Sequence, residues 1–515
     1  MTSSTGGHLH EGPPDTKLDK NVLLVAGVVV LGAIMSILDV TVVGVAQNTF
    51  QQEFNTDAAG AAWTATGYTL ALAAVIPLAS WAASRFGTKR VYLASLVLFT
   101  LGSILCAFAP NIGMLVAFRV VQGLGGGLLM PIGMMMLTKA AGPERVGSVM
   151  AVLGIPMLLG PISGPILGGV LIEQLSWHWI FLINVPIGII AFVYAWIVLR
   201  DDAETKRSSI DVVGLLLLSP GLALFLFGIS SSAEHRTFVT GSVLIPTIIG
   251  AVLIAAFIFH ALRAKKPLLD LRLFKNKTLS IAVVTMVLFM IAFFGAALLF
   301  PQYFIGVRGE STLTAGLLLA PQGLGAMLTM PIAGKLTDKM GPGKFVLGGI
   351  VLILIGMSTF TMLGANTSYW LICGSLFVQG LGMGMTMMPI MSAALATLSN
   401  PQVPDGSTLM NAIQQAATSI GTAVISVILA SSLANKPEAG VAIMANTSDK
   451  PLPPGVPNPL PESFFETAAD VFSSTFVISV VLICLTVIPA FFLPRKKIAS
   501  PLVEEDLDRG PIMMH

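Results

Sequence analysis

Val121-Gln122-Gly123-Leu124-Gly125, followed by Pro131, and Val378-Gln379-Gly380-Leu381-Gly382, followed by Pro389, are two copies of one motif, 257 residues apart. A second pair agrees with the first. Ser84-Arg85-Phe86-Gly87-Thr88-Lys89-Arg90 is matched by Asp338-Lys339-Met340-Gly341-Pro342-Gly343-Lys344, 254 residues later. Both pairs lie in or beside long apolar stretches, so the duplicated unit is built from membrane-length segments. The composition fits: of 515 residues, 55% are hydrophobic and 10% charged, against about 25% charged in soluble domains.

Working outward from the repeat, fourteen apolar stretches reach the roughly 20 residues that a spanning helix needs. They fall at 21–46, 61–83, 91–109, 112–137, 146–172, 178–199, 210–230, 240–262, 279–302, 313–334, 345–364, 369–395, 405–433 and 473–494. Barrel strands are about ten residues long with alternating polarity, and these stretches do not alternate. The fold class expected is therefore an all-α polytopic membrane protein. Spans 1–6 correspond to spans 9–14, and spans 7 and 8 are an insert. The parts are a tail at 1–19, a six-helix bundle at 20–200, an insert with linker loops at 201–278, a second six-helix bundle at 279–494 and a tail at 495–515. Within the second bundle, 434–472 reads as a flexible Pro-rich cover, in which Asn446-Thr447-Ser448 is a weak glycosylation triplet.

Twenty-three of the 28 Lys and Arg residues fall in segments that lie together if the N-terminus is inside. Arg236, Arg308, Lys436 and Lys450 lie opposite, and Arg119 is within a span. This bias puts both termini in the cytoplasm of a multi-pass protein of the cell membrane. Trp63, Trp177, Trp179 and Trp370 fall at outer span ends and Trp81 and Trp196 near inner ends, as an interfacial belt does. The net charge of +2 carries no nucleic-acid signal, because the positive charge is topological. Cys106, Cys373 and Cys484 all lie in spans and imply no disulfide framework, and the polar first twenty residues show no signal-peptide core.

Asp39 is the only acidic residue well inside a span, and Arg119 the only basic one. Each costs roughly 2.5–3.5 kcal/mol at a helix centre, so both are functional candidates by default. Counting about 1.5 Å per residue from the outer span ends puts both some 12–14 Å deep, where they can pair across a cavity. Repeated halves also place a substrate site near the bilayer midplane, where they meet. Gln122, Gln379, Asn411, Gln414 and Gln415 are intramembrane amides that should avoid lipid. Met383 and Met387 belong to a methionine cluster suited to a promiscuous apolar wall.

These features resemble a known group. Leu38-Asp39-Val40-Thr41-Val42-Val43, Arg119 with Gln122-Gly123, and Gly160-Pro161-Ile162-Ser163-Gly164-Pro165-Ile166-Leu167-Gly168-Gly169 are similar to motifs of the major facilitator superfamily. The likeness is to its 14-helix EmrB/QacA-type drug:proton antiporters, and it spans about residues 20–495. The chain departs at Ser84, where the family's loop motif usually has Asp, at Gly44, Gln47 and Asn48, and at Leu376, where a second Arg119 would fall.

The resemblance implies proton-coupled efflux of drugs or other amphiphiles by alternating access. Asp39 would take up and release the proton beside Arg119. The guanidinium favours the charged carboxylate and burial the neutral one, so a change in access can shift the balance. This reading requires the carboxylate to meet water in the chamber between the bundles. The plainer reading, a static salt bridge between spans 1 and 4, stays open. Gly160, Gly164 and Gly168 share one face of span 5 and permit close helix contact, while Pro161 and Pro165 favour bending. With Gly169 they mark a conformational contact. Arg85, Gly87 and Lys89, and Asp338 and Gly341, resemble a cytoplasmic latch that pairs with acids when the inner side closes.

No Walker A loop, His-Glu-x-x-His, Gly-x-Ser-x-Gly or metal-spaced Cys pair occurs, so no enzyme, metal or cofactor is expected and a proton gradient is the energy source. The partners expected are small amphiphilic or cationic substrates, protons and the lipid bilayer. Nucleic acid is not among them, and accessory export subunits are compatible with the sequence but not indicated by it. The alternatives are export of an endogenous lipid or metabolite, uptake by symport, or a non-transporting receptor or scaffold.

Overall fold

The structure, a computed structural model, describes residues 19–142, 145–201, 209–235, 237–399, 401–447, 456–457 and 459–496, without the side chains of 48, 58–59, 153, 155–162, 165, 233–235 and 312. Among these residues every regular element is a helix. The first half holds α1 (Lys20–Val45), α2 (Gln47–Glu53), α3 (Ala58–Val75), α4 (Leu78–Phe86), α5 (Thr88–Ala107), α6 (Ile112–Ala141), α7 (Val146–Gln174), α8 (Trp179–Leu182) and α9 (Asn184–Val198). The insert is α10 (Val212–His235) and α11 (Gly241–Arg263). The second half holds α12 (Lys277–Ala297), α13 (Leu299–Gly306), α14 (Thr312–Met340), α15 (Pro342–Ser358), α16 (Tyr369–Leu395), α17 (Val403–Ala434), α18 (Pro437–Thr447) and α19 (Glu462–Ala490).

Helix follows from the sequence because lipid offers no partner for backbone N–H and C=O groups. Among the described residues twelve helices are long and apolar enough to cross a membrane, thirteen when α3 and α4, bent by 57°, are taken as one broken span. The break falls at Ile76-Pro77, where proline cannot donate the next helical bond. The remaining expected span, 146–172, lies in α7, 29 residues long.

Two turns display the duplication directly. Gly87 ends α4 with φ 91° and ψ 147°, and Gly341 ends α14 with φ 86° and ψ 154°. Both conformations favour glycine over any residue with a Cβ. The end of the molecule that carries these turns, rich in Lys and Arg, is called the basic end below, and the opposite one the far end.

Three expectations are corrected. The cover at 434–472 is not wholly irregular: α18 packs Ala439 and Ala442 into the core, with Pro437 at the start, where a missing N–H costs nothing. Asn446 Nδ2 donates to Gly306 O at 3.0 Å and Val307 O at 3.3 Å, closing the end of α13. The last span begins at Glu462 rather than 473, because Glu466 accepts from Ala365 N at 3.1 Å and Asn366 Nδ2 donates to Glu462, so the polar first turns are held at the far end. Trp177, expected in an interfacial belt, faces inward. It is buried against Phe50 and Phe54, with ring centroids 5.8 Å and 5.4 Å away.

The halves meet toward the basic end. A Cβ on Gly147 of α7 would stand 2.6 Å from Gly334 O of α14, and one on Gly154 2.3 Å from Met330 Sδ. Asn411 Nδ2 of α17 lies 3.9 Å from Met134 Sδ of α6. Within the halves, α1 packs chiefly on α6, α7 and α9, and α12 on α16, α17 and α19. The cleft between the halves is thus closed at the basic end.

Candidate functional site: a buried ionic cluster in the first half

On α1 the buried positions Gly32, Met35, Ser36, Asp39, Val42 and Val43 recur at helical spacing and form one face. On α6 the buried face is Leu115, Arg119, Gln122, Gly123 and Gly126. Asn111 starts that helix by accepting from Met114 N at 2.9 Å, the capping arrangement expected of Asn. Two glycines set the spacing of the neighbours. A Cβ on Gly123 would stand 2.5 Å from Tyr68 O of α3, and one on Gly102 of α5 2.6 Å from Gln122 Cα. The Gln-Gly pair of the repeated motif is therefore a packing device that draws α3 and α5 against α6.

Asp39 and Arg119 are each 1% exposed and form a direct ion pair between Nη1 and Oδ2. The other carboxylate oxygen accepts from Gln122 Nε2 at 2.7 Å and from Asn184 Nδ2 of α9 at 3.1 Å. Arg119 also donates from Nη1 to Gln122 Oε1 at 2.6 Å and from Nε to Thr64 O at 3.0 Å. Its guanidinium lies 4.2 Å from the centre of the Tyr68 ring, a cation–π distance. Ser103 Oγ accepts from both amides, at 2.6 Å and 3.3 Å. Tyr68 Oη and Ser36 Oγ are 3.0 Å apart. Thr64 Oγ1 accepts from Gln47 Nε2 at 3.2 Å, extending the polar contacts toward the far end.

A buried ion pair recovers its desolvation cost only when the geometry is good and the remaining donors and acceptors are filled. Here both carboxylate oxygens and the guanidinium are satisfied. Arg119 moreover keeps two acceptors, Gln122 Oε1 and Thr64 O, that do not depend on the charge of Asp39. The cluster can thus hold its cation whether the carboxylate is ionised or neutral.

The sequence brings Asp39 and Arg119 together correctly but places them wrongly. The expected opening of Asp39 onto the chamber between the bundles is not met, for the pair points into its own bundle and is closed to water in this conformation. Gln122 belongs to the cluster rather than to a cavity wall. Gln379 is 1% exposed and accepts from Gln322 Nε2 at 3.0 Å within the second half. Met383 and Met387 are buried in the core. Asn411, Gln414 and Gln415 are half-buried along α17.

Of the expected conformational residues, Gly164 and Gly168 pack on α1. A Cβ on Gly164 would stand 2.2 Å from Thr41 Oγ1 and one on Gly168 3.3 Å from Val42. Gly169 has open space. The side chains of Gly160, Pro161 and Pro165 lie outside the described residues. Asp338 crosses between the halves to a helix start: it accepts from Gly147 N at 2.8 Å, and from Ser148 N and Oγ at 3.0 Å and 2.8 Å. Exposed amides at a helix N-terminus attract a carboxylate as a cation does. Lys89 pairs with an acid, Asp201, 3.7 Å away in its own half. Arg85 is half-buried.

Several residues in the cluster or on the inter-half contact escaped the sequence reading, among them Ser103, Asn184, Thr64 and Asp405. Ser103, Asn184 and Thr64 are neutral and unremarkable in apolar runs. Asp405 stands at the edge of a span and receives Ser80 Oγ from the other half.

Residues 29–434 match the family model of the Major Facilitator Superfamily, and the chain belongs to that superfamily of transporters. It is 47% identical over 499 residues to a "Multidrug resistance protein B homolog" of Mycobacterium tuberculosis, covering 94% of this chain and 92% of that one. The lincomycin resistance protein LmrB of Bacillus subtilis is 30% identical over 469 residues, with 91% and 95% covered. Among solved structures, the human organic anion transporter MFSD10 aligns with a TM-score of 0.59 at 15% identity, covering 92% of this chain and 100% of that one. That last likeness speaks to the fold alone.

Proposed function

We propose that this chain exports drugs or other amphiphilic small molecules in exchange for protons, by alternating access, with the basic end in the cytoplasm. The names of its relatives support the export of drugs, and the Lys and Arg bias supports the orientation. The observation that carries proton coupling is the placement of Asp39: it is a buried carboxylate inside a spanning helix, and an ionisable residue there is a functional candidate by default. Arg119 has acceptors beside it, Gln122 Oε1 and Thr64 O, so a neutral carboxylate would still leave the guanidinium with partners. Because the carboxylate is closed to water here, proton exchange belongs to another conformation of the first half, and Thr64 with Gln47 extends the polar contacts toward the far end.

Each elementary charge moved supplies about 2.3 kcal/mol per 100 mV, and each pH unit about 1.4 kcal/mol, so one proton suffices to concentrate a neutral solute. The uncovered faces near the cluster are apolar, with Val40 44% and Val120 37% exposed. They suit amphiphiles rather than phosphorylated solutes, which would need several cations. Everted vesicles carrying the protein should accumulate ethidium, rhodamine 6G or tetraphenylphosphonium when their interior is acidic, and lose the accumulated dye when the gradient is collapsed. Accumulation indifferent to the gradient would remove the proton from the reading, and no accumulation of any of the three would remove drug export.

A further inference from the structure

α7 and α17 start at corresponding places in the two halves. Ser148 and Asp405 are each the third residue of their helix, and they stand 257 residues apart, the spacing that also separates Gln122 from Gln379. Each helix start meets the other half near the end of a helix that runs into a glycine turn, so the basic end is shut along two seams.

On the seam between α7 and α14, the carboxylate belongs to the helix that ends in the turn: Asp338 receives Gly147 N, Ser148 N and Ser148 Oγ. On the seam between α17 and α4, the residue matching Asp338 is Ser84, which has no charge. There the carboxylate sits on the opposite side, at Asp405, and Ser80 Oγ of α4 donates to it. The acid has changed sides while a hydroxyl–carboxylate bond across each seam is kept. The insert reinforces this second seam, since Leu218, Leu222 and Phe257 pack with Ile76 at the break of α3–α4 and with Leu409 and Ala412 of α17.

We propose that Asp405 is a positioning residue of the transport cycle, closing the basic end in place of the acid that the turn after α4 lacks. The inference rests on the alternating-access reading above. An acid in the first turn of any helix also meets the helix dipole favourably, and that local role alone would give Asp405 no dependence on α4. The two roles separate on moving the carboxylate back across the seam.

The test uses the full-length protein in everted vesicles, with gradient-driven ethidium accumulation as the rate. Asp405→Ser should slow accumulation by about tenfold, the scale of one hydrogen bond to a charged group, with membrane levels unchanged. Asp405→Asn, which keeps an acceptor for Ser80, should fall between. The double variant Ser80→Asp/Asp405→Ser should return to within about threefold of the native rate. A merely structural acid would not be rescued in this way. In parallel, an oxidised disulfide from Ser80→Cys/Asp405→Cys should arrest accumulation until a reductant is added. A disulfide from Asn366→Cys/Glu462→Cys, within one half, should not.

Native rates for Asp405→Ser, or no recovery in the double variant, overturn the role of Asp405. If the disulfide between the halves still arrests transport in that case, the alternating-access reading stands without it. Should that disulfide leave transport untouched, the alternating-access reading itself fails.

Discussion

The same place in the two halves has opposite chemistry. In the first half, α6 turns Arg119 and Gln122 toward Asp39, Asn184 and Ser103, and an ion pair lies in the bundle interior. In the second half the repeat puts Leu376 where Arg119 stands, and it is fully buried. Gln379, the counterpart of Gln122, accepts from the neutral Gln322. Part of that interior is aromatic: Phe300, Phe360 and Phe476 have ring centroids 4.9–5.4 Å apart. Duplication has preserved the helix path, the Gln-Gly packing and the glycine turns, but charge inside the membrane survives in one half. On the proposed function, the proton would belong with that half.

The sharpest way to break this contrast is to make the first half resemble the second. Arg119→Leu removes the only cation from a carboxylate that is closed to water, and stranding a buried charge costs about 3–5 kcal/mol. The variant should unfold at markedly lower temperature in detergent and should not export. Arg119→Leu/Asp39→Leu should recover the stability but not the export. A stable single variant would mean that the carboxylate is already neutral in the native protein. The smaller effect compares amide with amide. Asn184→Ala removes one donor to a charged acceptor, worth about 1.5–3 kcal/mol, whereas Gln379→Ala removes a neutral pair worth about 0.5–1.5 kcal/mol. Thermal unfolding should therefore fall further for the first, and equal losses would show the two halves to be less different than their residues imply.

Much of the fold could be read directly. Apolar length alone gives the helices, and the motif offsets give the correspondence of Gly87 with Gly341, whose backbone angles nearly coincide. The pairing of Asp39 with Arg119 was legible from depth, since both charges lie at one level and each has no other partner of opposite sign inside a span. Which way the pair points was not legible. A cleft and a bundle interior both avoid lipid, so polarity cannot separate them. Gln122 is three residues from Arg119 and shares its face, so once the pair is found in the bundle interior, Gln122 goes there with it. Asn184 was hidden because one amide in an apolar run carries no period. Asp405 was missed because span boundaries carry errors of a few residues, and that error decides whether an acid is inside the protein or in a loop.

If Asp39 carries the proton, reconstituted Asp39→Asn protein must show its loss. In liposomes holding a pH indicator, adding substrate to native protein should drive a proton flux of opposite direction. Asp39→Asn should still fold, because Arg119 keeps Gln122 and Thr64 as acceptors, at a lower unfolding temperature because its buried cation loses its anion. The folded variant should give no substrate-driven flux and no gradient-driven accumulation. Proton flux at the native rate from that variant would contradict the claim and leave the ion pair a structural bridge.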